Sequence, residues 1–271
     1  MIDTERFARD HHLLVEVREK IATITINRPE VMNSITDPVH IGLLELFHLV
    51  NSDDDVFAIV LTGAGDRGFC AGADVKDMAG RADKGRIRPM GHSLKGGKWL
   101  IHRFLDLEKP IVAAINGDAV GLGATLALMC DVTVMSDAAR IGDNHVRMGL
   151  VAGDGGTLIW PFMIGMNRAK ELLLTGRLIT APEAKELGLV NYVVPKAECK
   201  AKAWEIAKQI ADNAPLAVRW TKAALNQAIW QQTINTHHFA LATECMTIAT
   251  EDTKEALYAF REKRKPVFKG K

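Results

Sequence analysis

The sequence of 271 residues contains few of the side chains that mark specialised protein classes. It has 4 cysteines, at positions 70, 130, 199 and 245, and none forms a Cys-x-x-Cys pair. The sequence therefore predicts neither a zinc site nor a redox pair, and we expect no bound metal. The formal net charge is only +1, so the composition gives no reason to expect a nucleic acid partner.

Long apolar segments are also missing. No stretch reaches the length needed to cross a bilayer, and no charged n-region followed by an apolar h-region opens the chain. The start, MIDTE, is acidic, which is unlike an Arg-rich transit peptide. From these features we expect a cytoplasmic protein without a membrane partner.

The chain has ample material for a large core, because 48% of its residues are hydrophobic and 25% are charged. Six apolar strands are predicted at residues 13–17, 21–26, 56–62, 110–115, 131–135 and 190–194. Several helices alternate with them, at 37–50, 99–107, 157–174 and 181–187. Such alternation indicates crossover connections and a parallel sheet. The fold class is therefore α/β.

The composition shifts near residue 195. Residues 197–213, 216–232, 236–249 and 252–263 are each predicted to be helical. We accordingly divide the chain into a core, residues 1–195, and a helical C-terminal region, residues 196–271. Residues 79–98 are rich in Gly, Arg and Lys and are predicted to form a mobile loop.

Two loops of small residues follow buried strands. The first is RGFCAGADVKDM, residues 67–78, in which Asp74 is predicted to cap a short helix. The second is NGDAVGLGA, residues 116–124, which leads into an apolar helix. Both loops would present backbone N–H groups at a helix start, where the helix dipole favours negative charge. Two such groups could bind one carbonyl oxygen as it becomes an oxyanion.

These two loops, with Asn-Arg-Pro at 27–29 and a basic segment at 262–265, make the chain resemble the crotonase (enoyl-CoA hydratase/isomerase) superfamily over roughly residues 12–269. The resemblance implies a spiral of ββα units and C-terminal helices that complete a homotrimer or a hexamer. It also implies an acyl-CoA thioester substrate, with coenzyme A as part of the substrate and no separate cofactor. The oxyanion would be held by the amides of Ala73 and Leu122.

The resemblance fails at the acid/base positions. Hydratases of this superfamily use two glutamates, whereas the matching positions here carry Thr125 and His145. Asp154 follows in a Gly-Asp-Gly segment, and His145 with Asp154 could form a carboxylate–imidazole pair. This segment is similar to β-diketone-cleaving members such as 6-oxocamphor hydrolase. His145 could then act as a general base, because an imidazole near its unperturbed pKa of about 6.5 is neutral and basic above that pH. A carboxylate partner would raise this pKa, because an opposite charge favours the imidazolium.

Other polar residues are secondary candidates. Glu244 interrupts an apolar helical stretch and is either a third polar group of the site or a solvated helix residue; the second interpretation is favoured. His237 and His238 lack a metal-ligand partner at helical spacing, which indicates a surface position. His92, in the predicted loop, is a reserve candidate for the acid/base role.

Coenzyme A contacts are implied by the resemblance at six positions, namely Glu30, Val31, Ala71, Ala73, Phe260 and Lys263. The expected reaction is hydration or isomerisation of an enoyl-CoA through a thioester enolate, with both usual glutamates replaced. One alternative is hydrolysis of a C–C bond between two carbonyls by the same pair. Another is a CoA-binding homologue without catalysis. The sequence does not identify the acyl chain.

Overall fold

The structure is a computed structural model that describes residues 2–84 and 90–271, apart from the side chains of residues 82 and 90–95. Its strands are β1 Leu13–Arg18, β2 Ile21–Ile26, β3 Ala58–Gly63, β4 Gly68–Cys70, β5 Ile111–Ile115, β6 Asp118–Val120, β7 Val132–Ser136, β8 Arg140–Gly142, β9 Ile179–Thr180 and β10 Tyr192–Val194. Its α-helices are α1 Thr4–His11, α2 Asp37–Ser52, α3 Val75–Asp83, α4 Met90–Asp106, α5 Leu122–Leu128, α6 Gly156–Ile164, α7 Met166–Thr175, α8 Ala181–Glu186, α9 Cys199–Ala211, α10 Pro215–Gln232, α11 His238–Ile248 and α12 Glu251–Glu262.

Pairs of consecutive strands divide between two sheets. β3, β5 and β7 lie side by side and parallel in a six-stranded sheet of order β1-β2-β3-β5-β7-β10. Their successors β4, β6 and β8 lie parallel in a four-stranded sheet of order β4-β6-β8-β9. The chain therefore winds as a series of strand pairs, one strand in each sheet, and each pair is followed by helical or irregular structure, which confirms the predicted spiral of ββα units.

The central strands of the six-stranded sheet are buried on both faces, whereas its edge strands β1 and β10 are partly exposed. Every residue of β3 and β5 is buried, as expected for parallel strands covered by helices on each side. Val60, Val112 and Val134 pack against α9, while Leu61 and Ala113 belong to the larger core on the opposite face. Continuous apolar runs in the sequence correspond to this double burial, and all six predicted strands are present.

The predicted loop at residues 79–98 is wrong for the described part of that range. α3 extends through residue 83, and α4 begins at residue 90. Gly97, one of the glycines of α4, has a packing function. A Cβ on Gly97 would lie 2.7 Å from a methyl carbon of Leu241, so this glycine allows α4 and α11 to approach closely.

The long helix predicted at residues 157–174 is two helices. Gly165 has φ of +79° and separates α6 from α7; it closes the first helix by donating its N–H to the Pro161 carbonyl. Glycine adopts such a conformation without the strain that a Cβ would introduce. Residues 145–148 form a 3₁₀ turn after the short strand β8.

The C-terminal region is helical, as predicted, but His237 is not at the surface and His238 is half-buried. A π-helical turn, Thr233–His237, joins α10 to α11 and buries His237 completely. Burial lowers the pKa of His237 to about 4, so the ring is neutral. Among the described helices, none combines the length and apolarity that crossing a bilayer requires.

Candidate active site

The two small-residue loops predicted from the sequence lie directly against each other. A Cβ on Gly123 would lie 2.0 Å from the carbonyl oxygen of Cys70. A Cβ on Gly72 would lie 2.7 Å from the Val120 carbonyl oxygen and 3.4 Å from the Leu122 amide nitrogen. Glycine at these two positions lets the backbones meet without side chains between them.

Ala73 and Leu122, the predicted oxyanion donors, line one cavity of about 220 Å³. Leu122 is the first residue of α5, so its N–H has no partner within the helix. Among the backbone hydrogen bonds of the described residues, neither amide is a donor. Both N–H groups are thus available beside the same cavity.

Asp74 fixes the first loop. Its Oδ1 accepts the amides of Lys76 at 3.2 Å and Asp77 at 3.3 Å, so it caps α3 as predicted. Its Oδ2 accepts both terminal nitrogens of Arg28 at 3.1 Å. Burial disfavours the charged form, but the Asp77 amide and Arg28 outweigh this and lower the pKa of Asp74.

His145 lies between two carboxylates. Its Nδ1 is 2.6 Å from Asp143 Oδ1, and its Nε2 is 3.3 Å from Asp154 Oδ2. Asp143 also accepts the backbone amide of His145 at 3.1 Å. The structure therefore brings together His145 and Asp154, as predicted, and adds Asp143, which the sequence analysis did not single out. The sequence feature that could have identified Asp143 is its position two residues before His145, on a turn.

The two carboxylates change the protonation of the imidazole. Burial opposes its charge, but the negative charges of Asp143 and Asp154 outweigh burial and raise the pKa of His145 well above its ordinary value. For Asp143, burial likewise opposes ionisation, while the adjacent His145 lowers the pKa of this carboxyl. The two carboxylates thus favour the imidazolium form of His145, which is the direction expected for an imidazole with a carboxylate partner.

Asp143 is held as an anion beneath the start of α6. A Cβ on Gly156, the first residue of that helix, would lie 2.2 Å from Asp143 Oδ2. The side chain of Asp143 is only 1% exposed. The positive end of the helix dipole favours a carboxylate at this position. Gly156 thus leaves room for the anion that orients His145.

Asp154 and Thr125 meet on the other side of the imidazole. The Thr125 hydroxyl lies 3.4 Å from Asp154 Oδ1, and Thr125 is fully buried. A Cβ on Gly121 would lie 3.5 Å from His145 Cε1, which places the imidazole immediately beside the Leu122 amide. The His145–Asp154 pair and the two oxyanion donors, Ala73 and Leu122, therefore share one wall of the cavity.

The cavity is walled by α2, α3, α11, α12 and the segment 145–154. Its lining residues are Ile35, Thr36, Asp37, His40, Ala73, Asp74, Asp77, Met78, Arg81, Gly97, Leu122, His145, Leu150, Asp154, Leu241, Glu244, Cys245, Ile248, Thr253, Lys254 and Leu257. This set is mostly apolar at its centre, with charged groups of α2, α3 and α12 among the rest.

Of the six residues predicted to contact coenzyme A, all of which the structure describes, only Ala73 lines this cavity. Glu30 and Val31 form a 3₁₀ turn whose carbonyl at Glu30 lies 3.4 Å from Arg67. Ala71 donates its amide to Met32 at 3.0 Å.

The two remaining predicted contacts, Phe260 and Lys263, are exposed at the end of α12. In the neighbouring basic cluster, Arg264 pairs with Glu255 and Glu262.

Glu244 is a site residue that the sequence analysis underestimated. It lines the cavity, and its Oε2 is buried without a hydrogen-bond partner. Burial and the nearby charge of Asp154 raise the pKa of Glu244 to about 8. The interpretation as a solvated residue is wrong. Helical spacing was the missed signal, because Glu244 follows the buried Ala240 by four positions and the buried Leu241 by three. The His92 side chain lies outside the described residues.

Asp143, His145 and Asp154 are also the only group among the described residues with three potential metal ligands close together, within 4.8 Å of one another. Their donor atoms face each other across the hydrogen bonds given above. The geometry is that of a carboxylate–imidazolium–carboxylate cluster.

Comparison with known proteins places the chain in a family. The family model described as enoyl-CoA hydratase/isomerase matches residues 16–271. The chain belongs to the enoyl-CoA hydratase/isomerase family. It is 38% identical over 259 residues to a short-chain-enoyl-CoA hydratase of Clostridium acetobutylicum, covering 94% of this chain and 96% of the relative. It is 35% identical over 260 residues to a crotonyl-CoA hydratase of Syntrophomonas wolfei, covering 96% of this chain and 98% of the relative.

Solved structures of the enoyl-CoA hydratase/isomerase family have the same fold. A carnitinyl-CoA hydratase from Mycobacterium avium gives a TM-score of 0.85 at 34% identity, over 96% of this chain and 99% of that chain. An enoyl-CoA hydratase/isomerase from Mycobacterium paratuberculosis gives a TM-score of 0.83 at 35% identity, over 92% of this chain and 98% of that chain. The predicted family and fold class are therefore confirmed.

Proposed function

We propose that this chain is an enzyme acting on acyl-CoA thioesters through an enolate whose oxygen is bound by the Ala73 and Leu122 amides. The reaction is hydration or isomerisation of a 2-enoyl-CoA. The observation that carries the proposal is the contact between the two glycine-containing loops. Gly72 and Gly123 bring two free N–H groups to one cavity, beside an ordered His145–Asp154 pair. The names of the relatives support the same substrate class.

In this reaction the two N–H donors and the His145–Asp154 pair have different roles. Addition of water at the third carbon of a 2-enoyl thioester moves an electron pair onto the carbonyl oxygen, where two N–H donors stabilise the enolate. Asp154, which lines the cavity, accepts the proton of the attacking water. His145 carries its own proton and positive charge, positions Asp154, and offsets the negative charge that develops nearby. The proton then reaches the second carbon of the enolate.

Coenzyme A enters as part of the substrate in this proposal, and no separate cofactor is needed. Ala71 and Ala73 would contact its pantetheine and adenine, Glu30 and Val31 its pantetheine–phosphate region. Phe260 and Lys263 would contact adenine and ribose phosphate. Their exposed positions at the end of α12 are compatible with contact to a ligand of a neighbouring subunit.

Hydration of crotonyl-CoA by purified wild-type protein and by Ala73→Pro tests the oxyanion proposal. Proline removes the N–H at position 73, and loss of one oxyanion donor lowers kcat by about 10²–10³-fold. Ala73→Gly keeps the N–H and is the matched control, so it should retain most of the rate. A folded Ala73→Pro variant with near wild-type turnover would show that the carbonyl binds elsewhere.

A second candidate, hydrolysis of a C–C bond between two carbonyls, is favoured by the carboxylate–imidazolium–carboxylate cluster that replaces the usual glutamates. Here the same pair would activate a water for attack on one carbonyl, and the second carbonyl would stabilise the departing carbanion as an enolate. Dependence on the CoA moiety separates the two candidates, because cleavage of CoA-free β-diketones would support only the hydrolase. No turnover of either substrate class would support the non-catalytic alternative.

A further inference from the structure

Glu244 is a half-buried acid with one buried carboxyl oxygen, and the described structure provides no ion-pair partner for it. It lies on α11, whose neighbouring buried residues are Ala240, Leu241 and Cys245. None of the ion pairs among the described residues includes Glu244, and its Oε2 has no hydrogen-bond partner. A buried polar group left without a partner costs about 1–3 kcal/mol. A purely structural residue at this position would be better replaced by an apolar one.

The Glu244 carboxyl lies beside the reacting end of the cavity. A Cβ on Gly153 would lie 2.7 Å from Glu244 Cβ, so the backbone next to Asp154 packs directly on this side chain. His40 lines the same cavity and also has a buried ring nitrogen, Nε2, without a partner. The cavity wall therefore offers two unused polar atoms besides the His145–Asp154 pair.

Charge restricts what these atoms can bind. Asp143 and Asp154 carry two negative charges against one positive charge on His145, so the inner wall is negative overall. Glu244 is protonated at neutral pH and presents an O–H donor. A carboxylate on the ligand would be repelled by the inner wall, whereas an uncharged oxygen would accept the hydrogen bond.

We propose that Glu244 is a specificity residue that donates a hydrogen bond to an uncharged oxygen on the acyl group, beyond its third carbon. The substrates would be acyl-CoA thioesters with a hydroxyl or oxo group on the chain, in preference to plain alkenoyl thioesters. This inference rests on the proposed acyl-CoA function. In the proposed reaction the His145–Asp154 pair acts on the oxygen at the third carbon. The preference due to Glu244 therefore applies to an oxygen on the fourth carbon or beyond.

Calorimetric titration with saturated CoA esters tests the inference without turnover. The ligands are pentanoyl-CoA, 4-hydroxypentanoyl-CoA, 4-oxopentanoyl-CoA and glutaryl-CoA, titrated into wild-type, Glu244→Gln and Glu244→Leu protein. The wild type should bind one of the 4-oxygenated esters about tenfold more tightly than pentanoyl-CoA, as expected for one recovered hydrogen bond. Glutaryl-CoA should bind no more tightly than pentanoyl-CoA.

The two variants distinguish recognition from structural support. Glu244→Gln keeps a neutral donor of similar shape and should retain most of the preference. Glu244→Leu should remove it while binding pentanoyl-CoA at least as tightly as the wild type. Equal wild-type binding of all uncharged esters, or a preference that survives in Glu244→Leu, would overturn this inference alone. Binding of none of the esters by the folded wild type would overturn the acyl-CoA function as well.

Discussion

At the scale of single residues, the site depends on how three side chains share charge. His145 donates from Nδ1 to Asp143 and faces Asp154 with Nε2, so both ring nitrogens are engaged by carboxylates. A ring in this position is not a free base. In the proposed mechanism Asp154 accepts the proton of the attacking water, and His145 is the cation that positions it.

The pH dependence of kcat/KM follows from these charges. The pKa of His145 is raised, so its positive charge is present at neutral pH and is lost as the pH rises through that pKa. Glu244, with a pKa of about 8, adds a negative charge beside Asp154 above that pH. We expect kcat/KM for an enoyl-CoA to fall above about pH 8. Glu244→Gln should shift that decline to higher pH.

If neutral His145 were the base instead, kcat/KM would increase as the pH rises through its raised pKa. An increase in the kcat/KM of the wild type at alkaline pH would therefore contradict the assignment of Asp154 as the proton acceptor. Thermal unfolding at each pH is the control for loss of folded protein.

Thr125 allows a complementary test. It occupies the position at which hydratases of the resembling superfamily carry one glutamate, and its hydroxyl faces Asp154 at 3.4 Å. Thr125→Glu should raise the pKa of the neighbouring carboxyl through like charge and alter hydration of crotonyl-CoA. Thr125→Ser, which keeps the hydroxyl, is the matched control and should stay within about threefold of wild type. Identical pH–rate profiles for both variants would show that Thr125 is remote from the proton transfer.

At the scale of secondary-structure elements, the critical feature is the contact between the two loops that begin α3 and α5. The sequence shows both loops, because glycines and small residues follow apolar strands. It also shows the six main strands, since residues such as Val60 and Val112 belong to continuous apolar runs. Gly123 and the Cys70 carbonyl are 53 residues apart in the sequence. Only tertiary structure brings them into contact, and local sequence patterns do not encode that contact.

The errors at this scale have the same origin. The glycines of residues 91–97 look like loop residues locally, but Gly97 is a contact point for Leu241 within a helix. His237 looks like a surface residue next to His238, but a π-helical turn rotates it into the core. Glu244 reaches the cavity because α11 packs beside Gly153. Each of these outcomes depends on packing partners distant in sequence.

Gly123→Ala tests the loop contact. The new Cβ would lie 2.0 Å from the Cys70 carbonyl oxygen, so the backbones must separate. We expect loss of about 1–3 kcal/mol of stability, measured by denaturant unfolding, and a fall in kcat of at least about tenfold. Gly80→Ala is the matched control, because a Cβ there has no neighbour within 4 Å and alanine favours helix. Wild-type activity in Gly123→Ala would contradict the proposed arrangement of donors.

At the scale of the whole molecule, apolar side chains remain exposed on the C-terminal helices. Trp220, Leu225, Ile234 and Phe239 are 64%, 71%, 71% and 71% exposed. A folded chain rarely leaves large apolar patches in water unless another surface covers them. We therefore expect the homotrimer, or a hexamer built from two trimers, that the family resemblance predicts.

Light scattering at micromolar concentration measures this assembly. The wild type should have about three or six times the mass of one chain, and Leu225→Lys should shift it toward the monomer, since a buried charge at an interface is strongly unfavourable. Leu174→Lys, at a leucine of α7 that is 73% exposed, is the matched control and should leave the mass unchanged. A monomeric wild type would contradict the prediction.

The most direct test of the account is the effect of Asp154→Asn on turnover of the 2-enoyl-CoA that the wild type uses best. The substitution keeps the size of the side chain but removes the negative charge that accepts the proton. We predict a fall in kcat of at least about 10²-fold, with the Kd of a saturated acyl-CoA within about twofold of wild type. Asp10→Asn, at an exposed residue of α1 that pairs with Arg9 and does not line the cavity, is the control. Retention of more than about half of wild-type kcat by folded Asp154→Asn would contradict the account.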